Sequence, residues 1–451
     1  MTAVAVFCAL CALLFLGKVI RLHVPFLQRL YLPSSVVGGL VGLAAVTVLS
    51  SVLPPDRARA FDAEYVAAAR AVPGFLINVI FATLFLGAAL PKLGQVARLA
   101  FPQLCLGQVT AWGQYAVGLA LAGFVFTRVF HVPAAFGNLL EIGFEGGHGT
   151  VGGMVESFLS FGWEDGIALG YTMATAGMVV GIVVGMALIQ WAYRRGYVKE
   201  VVAFDDRRAY ERRGLHLRRH RPPAGRQTVM CDSIDSLAWH LAVTGLAILV
   251  GFVLHRFIPM KGFPLFPLCM IGGVLLQVAA RLVRKSLLID RGQMERISGA
   301  SLDFLVVAAV ATIQVKVVAA NWMPLAILVL AGAAWNVWVT VWLAPRLFRD
   351  AWFERAIAEF GQASGVTATG LMLLRTVDPE NRTPAAMSFG YKQLLHEPFM
   401  GGGLWTACAF VLVYRIGWLN VWYISLAMLA LWGVASCWVA RGRAKAPLPR
   451  P

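Results

Sequence analysis

The sequence predicts an all-α polytopic membrane protein: two inverted repeats of five transmembrane helices, each with a re-entrant hairpin, plus one extra C-terminal transmembrane helix. Three observations predict it. The first is composition: of 451 residues, 59% are hydrophobic and 14% charged, with a mean hydropathy of +0.71, whereas about a quarter of a typical soluble chain is charged. So few polar side chains cannot cover the outside of a soluble fold of this length, so that outside faces lipid. The second is a series of eleven apolar runs, and the third is one order of motifs that recurs in the two halves of the chain.

A spanning helix needs about 20 mostly apolar residues. Candidates lie near 3–20, 34–53, 73–90, 102–127, 166–193, 236–257, 264–283, 300–319, 323–345, 384–412 and 417–440. Stretches 137–158 and 355–374 are too short, too polar or too glycine-rich to span. They read as re-entrant hairpins, which survive at membrane depth only where protein or a water-filled cavity covers their backbone.

The first run opens Met1-Thr2-Ala3-Val4 without a positive leader and is followed by Lys18, Arg21 and Arg29, so it reads as a true span with its N-terminus outside. Threading the chain from there places 30 of the 39 Lys and Arg in segments predicted to be cytoplasmic, the tail 441–451 among them. The formal charge of +16 therefore reports topology; it does not point to nucleic acid. The richest segment, 194–234, includes Arg207, Arg208, Arg212, Arg213, Arg218, Arg219 and Arg221 and reads as a solvated connector. Of the seven cysteines six lie in apolar runs, among them the Cys8-Ala9-Leu10-Cys11 spacing of the first span, which has no second pair or histidine beside it, so neither a disulfide framework nor a zinc site is indicated.

The repeat is read from three ordered matches. Pro33 precedes Gly38-Gly39-Leu40 as Pro267 precedes Gly272-Gly273-Val274; Phe144 opens FEGGHGTVGGM as Phe360 opens FGQASGVTATG; and Gly170-Tyr171 is matched by Gly390-Tyr391. The two Pro-x4-Gly-Gly spans are the second and seventh, an odd number of crossings apart, so the halves have opposite orientations, as in many secondary transporters. The expected division is 1–193 for the N-terminal repeat, 194–235 for the basic linker, 236–412 for the C-terminal repeat and 413–451 for the extra helix and basic tail.

In that architecture interrupted helices form the binding site, because they offer unpaired N–H groups to an anion and unpaired C=O groups to a cation. The first hairpin supplies Glu145, Gly146, Gly147, His148, Gly149 and Thr150; its glycines allow close backbone approach. The second supplies Gln362, Ser364 and Gly365, with Thr367 and Thr369 as hydroxyl groups suited to sodium or to bonding back onto their own helix. Lys392, His396 and Glu397 are ionisable groups inside a predicted span, where Lys392 pairs with Glu397 or Glu145 or acts as a ligand group. Thr172, Thr175, Gln108, Gln114, Asp303, Gln314 and Asn336 are the other polar groups within spans. No enzyme signature accompanies them: His396-Glu397 lacks the second histidine of HExxH, and neither GxSxG nor a P-loop occurs.

Gly146 to Thr150, reading Gly-Gly-His-Gly-Thr, together with Ala174-Thr175-Ala176-Gly177, Pro33 with Gly38-Gly39, and Phe81-Ala82-Thr83, resembles the bacterial glutamate:sodium symporter family. The resemblance covers roughly 20 to 410 and is stronger in the first half. It implies a homodimeric transporter of the bacterial inner membrane, with its C-terminus cytoplasmic here, that couples inward sodium flow to glutamate uptake by alternating access. No cofactor beyond sodium as coupling ion is implied. The hairpin residues above and Lys392 would then receive an anionic amino acid or carboxylate, and Thr150, Thr172, Thr175, Thr367 and Thr369 with hairpin carbonyls would hold sodium. Glu145 stands where the family tends to have a small polar residue, and Lys392, His396 and Glu397 replace an apolar stretch. These departures keep open a proton-coupled or uncoupled carrier of another solute, with Glu145 or His148 titrating.

Overall fold

The structure, a computed structural model, describes residues 1–88, 93–198, 209–216, 221–258, 260–283 and 288–444. Much of the basic connector, including Arg207, Arg208, Arg218 and Arg219, lies outside the described residues. The main helices are α1 (Thr2–His23), α2 (Ser34–Val52), α3 (Ala67–Thr83), α4 (Leu93–Ala120), α5 (Leu139–Phe144), α6 (Gly147–Gly153), α7 (Asp165–Arg194) and α8 (Ser236–His255). They continue as α9 (Phe266–Leu282), α10 (Arg291–Ala311), α11 (Trp322–Trp338), α12 (Trp352–Val377), α13 (Ala385–His396), α14 (Leu404–Ile416) and α15 (Trp418–Ala444). No strand occurs among the described residues.

Eight helices among the described residues are long and apolar enough to cross a membrane. Leu16, Leu49, Leu249 and Phe252 stand exposed on them, as expected of a surface solvated by lipid. The chain is a multi-pass membrane protein.

Three predicted spans are corrected. The run 300–319 breaks after Ala311, where α10 ends, and a separate short helix covers Val315–Ala320. The run near 73–90 overlaps the end of a longer helical segment that starts at Pro55, passes through a π-helical turn at Asp62–Val66 and stops at Thr83, so Pro73 sits inside the helix, while residues 89 and 90 lie outside the described residues. The run 384–412 is not one helix: α13 ends at His396 and α14 begins at Leu404. Pro398 has no N–H to continue the ladder, and Gly401 and Gly402 adopt φ of 65° and 107°, which close a turn that most residues resist.

Contacts divide the chain into two compact units drawn from both halves of the sequence. One comprises Met1–Leu90, His148–Tyr171 and Arg207–Val315; the other comprises Pro91–Gly147, Thr172–Asp206 and Lys316–Pro451.

In the first unit, Asp235 and Asp290 cap α8 and α10 by accepting backbone N–H groups of their first turns. The glycine pairs are packing surfaces. A side chain on Gly38 would run into the Leu13 carbonyl of α1, and one on Gly39 would meet Val310 of α10. Gly272 lies in the same way on the Ala247 carbonyl of α8, and Gly273 on the Ala82 carbonyl of α3. Close approach of helix backbones through small residues is what drives helix association where lipid is as apolar as leucine. Arg291 at the start of α10 ties this unit further by donating to the Leu84 carbonyl at 2.6 Å.

In the second unit, α4 is the central helix. The Trp422 indole of α15 donates to the Ala116 carbonyl at 3.0 Å, and Trp418 fills the notch left by Gly123. On other faces Trp335 of α11 occupies the notch at Gly113, and the Lys392 stem of α13 lies over Gly107. The α12 segment folds back on itself. Gly365 and Val366 leave helical geometry, Val366 with φ of 70°, and Gly361 then packs directly against Gly370 while Gly370 meets the Ala358 carbonyl. Residues 352–364 and 367–377 therefore form a helical hairpin, sealed by Ile357, Phe360, Leu373 and Leu374 against Leu188 and Ile189 of α7.

Candidate functional site

Three interruptions of the helical chain converge in the second unit. The first is the break between α5 and α6, where Gly147 has φ of 68°; the second is the Gly365–Val366 turn of the α12 hairpin; the third is the α13–α14 turn. A Cβ on Gly147 would strike the Val366 side chain, and one on Gly401 would lie 3.3 Å from Glu145 Cγ. Each break frees backbone groups that an intact helix would pair.

Around this junction lies a buried polar network. Lys392 Nζ, wholly buried, donates to Glu359 Oε1 at 2.6 Å and to Gln362 Oε1 at 3.2 Å. Glu359 Oε2 accepts from Gln103 Nε2 at 3.0 Å, so both oxygens of that carboxylate are occupied. Glu141 is likewise saturated: Oε2 accepts from the Tyr115 hydroxyl at 2.6 Å, and Oε1 from the Thr406 hydroxyl and the Gly401 N–H, each at 2.8 Å. Glu145 bonds through Oε1 to His396 Nε2, while its Oε2 is buried without a hydrogen-bond partner.

The other side of the His396 ring is fixed by α4. Trp112 Nε1, which can only donate, donates to Gln108 Oε1 at 2.8 Å, so Gln108 turns its Nε2 toward His396 Nδ1 at 3.2 Å. A second cluster joins Thr367, Gln393 and Glu397: Thr367 Oγ1 donates to Glu397 Oε1 at 2.9 Å, and Gln393 Nε2 donates to both, at 2.7 and 2.8 Å. Asn336 Nδ2 donates to Ser364 Oγ at 3.0 Å and to the Ala363 carbonyl, which also accepts from Gln114.

The charge balance is uneven. Glu141, Glu145 and Glu359 are at most 3% exposed, and Lys392 is the one lysine among them, committed to Glu359. Arg355 is held by Asp350 at 3.1 Å and by the Phe348 ring. Burying an unpaired carboxylate is expensive, so such an arrangement suits a protein that binds or moves charge.

A family model described as sodium/glutamate symporter matches residues 1–351 of this chain. The chain belongs to the sodium/glutamate symporter family. No curated protein and no solved structure matches it. The symporter is thus a transporter and not an enzyme. The matched stretch holds Glu141, Glu145 and the Gly-Gly-His-Gly-Thr motif, and it ends just ahead of α12.

The residues expected to bind substrate divide between the symporter's two units. Glu145, Gly146, Gly147, Gln362, Ser364, Gly365 and Lys392 lie in the second, at or beside the three interruptions. His148, Gly149 and Thr150 belong to the first, where the His148 ring stacks on Tyr171 with centroids 6.4 Å apart and Gly149 faces Ile77. Of the residues expected to hold sodium, Thr150 is buried in the first unit, and Thr172 and Thr175 lie half-buried on the second-unit portion of α7. Thr367 is engaged by Glu397 and Gln393, and Thr369 bonds back to the Gly365 carbonyl of its own helix.

Lys392 and His396 share a helix face, as their spacing predicts, but the lysine's ion-pair partner is Glu359 and neither Glu397 nor Glu145. Sequence reasoning passed over Glu141, Glu359, Gln103, Tyr115 and Thr406. Glu359 had a signal, since it adjoins Phe360 inside a stretch too polar to span. Glu141 sits in the run Leu139-Leu140-Glu141-Ile142, where an acidic residue amid apolar ones was itself the clue.

Proposed function

We propose that this symporter couples inward sodium flow to the uptake of glutamate or a related anionic amino acid or carboxylate by alternating access. The observation that carries the reading is the convergence of the Gly147, Gly365–Val366 and Gly401 interruptions in one unit beside a buried, charge-bearing network. Interrupted helix ends of this kind suit substrate carboxylates, with Gln362 and Ser364 as nearby polar groups. Carbonyls of the α12 turn and the hydroxyls of Thr367 and Thr369 suit sodium, with Thr172 and Thr175 as further hydroxyl groups of the same unit. Each charge moved down a voltage of 100 mV supplies about 2.3 kcal/mol.

The proposal includes two inverted repeats of five spans and a homodimer in a bacterial inner membrane, with the N-terminus outside and the C-terminus in the cytoplasm. Support for the repeats comes from the glycine pairs: Gly38 and Gly272 each pack on the helix before them, and Gly39 and Gly273 each pack on the third helix of the opposite half. Equivalent roles predict equivalent losses. Gly38→Ala and Gly272→Ala are each expected to destabilise the detergent-purified protein by about 1–3 kcal/mol, as overpacking against rigid backbone does. A large loss at one and none at the other, in thermal unfolding, would count against the correspondence.

The direct test is labelled glutamate uptake into proteoliposomes under an inward sodium gradient, compared with potassium. Saturable uptake that needs sodium and is accelerated by internal glutamate is the expected result. Folded protein that takes up glutamate equally with potassium, or not at all, overturns the coupling or the substrate respectively.

A further inference from the structure

We propose that Glu145 and His396 form a proton-binding pair, so that the transport cycle of this chain carries a proton in addition to its solute. The inference rests on the transporter reading above but assigns to it a second coupled ion and the atoms that hold it.

The three buried carboxylates are not equivalent. Glu359 has a lysine on one oxygen and an amide on the other, and Glu141 has three donors over its two oxygens. Glu145 alone of the three has a buried oxygen, Oε2, with no donor. Its other oxygen meets His396 Nε2. Glu141 and Glu145 are four residues apart on consecutive helical backbone, hence neighbours on one face, and two like charges there repel.

The histidine's protonation is set by the groups behind it. Trp112 forces Gln108 to present its NH₂ to His396 Nδ1, so Nδ1 is the acceptor and the single ring proton is on Nε2, aimed at Glu145. A second proton on the ring would set N–H against N–H at Gln108. The ring therefore remains singly protonated, and an arriving proton binds Glu145 Oε2: one O–H bond forms, the carboxylate becomes a neutral carboxylic acid, and His396 keeps its proton. The bond breaks again when the proton leaves on the other side of the membrane.

A sodium ion fits the same place poorly. A hard cation needs several oxygen ligands, whereas the imidazole N–H points at Oε1, and donors from Tyr115, Thr406 and Gly401 point at neighbouring Glu141. The titratable or charged groups around Glu145 are Glu141 on its own segment, Tyr115 on α4, Glu359 on α12, and Lys392, His396 and Glu397 on or just after α13. His148 follows three residues along the chain. Of these, Lys392 and Glu359 neutralise each other, so a proton at Glu145 removes charge that no described cation offsets.

The test reads the proton itself and needs no solute. Infrared difference spectra of the purified full-length protein between acidic and alkaline buffer should show a buried carboxyl C=O band that titrates. Glu145→Gln should abolish that band; Glu141→Gln should leave it. Nitrogen-15 spectra of the wild-type histidines should contain one ring protonated only at Nε2 throughout that titration, and His396→Gln, which keeps a side-chain donor, should remove that signal and shift the carboxyl band. A titrating band that persists in Glu145→Gln, no titrating band in wild type, or an Nδ1-protonated His396 overturns the proposal. Should Glu145→Gln not fold, the wild-type nitrogen-15 signal and His396→Gln decide. Because glutamate is absent, a failed uptake assay leaves this result standing, and a failed proton assay leaves sodium-driven uptake standing.

Discussion

Replacing Lys392 by methionine is expected to destabilise the protein by about 3–5 kcal/mol, because it leaves Glu359 as an uncompensated buried charge. Lys392 has no exposed surface and Glu359 is 2% exposed, so water cannot take the place of the missing partner. Glu359→Gln should cost a similar amount by stranding the lysine. The double variant should recover most of the loss, since Gln103 and Gln362 can hydrogen-bond a neutral amide and no charge remains. Thermal unfolding of the four proteins in one detergent forms a complete double-mutant cycle. Simple additivity of the two losses would show that the 2.6 Å pair carries no coupling and would sink this account.

Gly361→Val should force apart the two arms of the α12 hairpin. A Cβ at Gly361 would lie 2.6 Å from Gly370 Cα and 2.8 Å from its nitrogen. Both neighbours are backbone, so no side-chain rotation relieves the overlap and the two arms must part. A loss of about 1–3 kcal/mol or more follows from overpacking alone, and separation of the arms would also expose Glu359 and Gln362, which lie in the first of them. Gly433→Val on α15 is the matched control, because nothing lies within 4 Å of a Cβ there. Equal thermal stability of the two valine variants would contradict the hairpin contact.

How much of this was legible in the sequence depended on whether the signal was local. The Gly-Gly pairs after Pro33 and Pro267 were visible because small residues at a fixed offset survive any packing detail. The fold-back near Gly365 was visible because its polar, hydroxyl-bearing residues interrupt an apolar pattern. Lys392 and His396 stood out as ionisable groups amid apolar ones, but the lysine's partner did not: the choice of Glu359 over Glu397 is made by how α12 and α13 pack, and no spacing encodes it. The break between α13 and α14 was hidden by averaging, since the apolar residues on both sides outweigh Gly401, Gly402 and Gly403 in a hydropathy count. Glu141 carried the same signal, an acidic residue amid apolar ones, but its partners Tyr115 and Thr406 lie 26 and 265 positions away and no spacing encodes them.

The Glu359–Lys392 pair also constrains how the protein is made. Its members are 33 residues apart, so the acidic arm of the hairpin emerges from the ribosome ahead of the lysine that neutralises it. A lone carboxylate is a poor guest for hydrocarbon, and the arm therefore has to wait at the translocon or in water until α13 arrives. Membrane insertion of this region is then expected to be concerted, with α12 and α13 entering together.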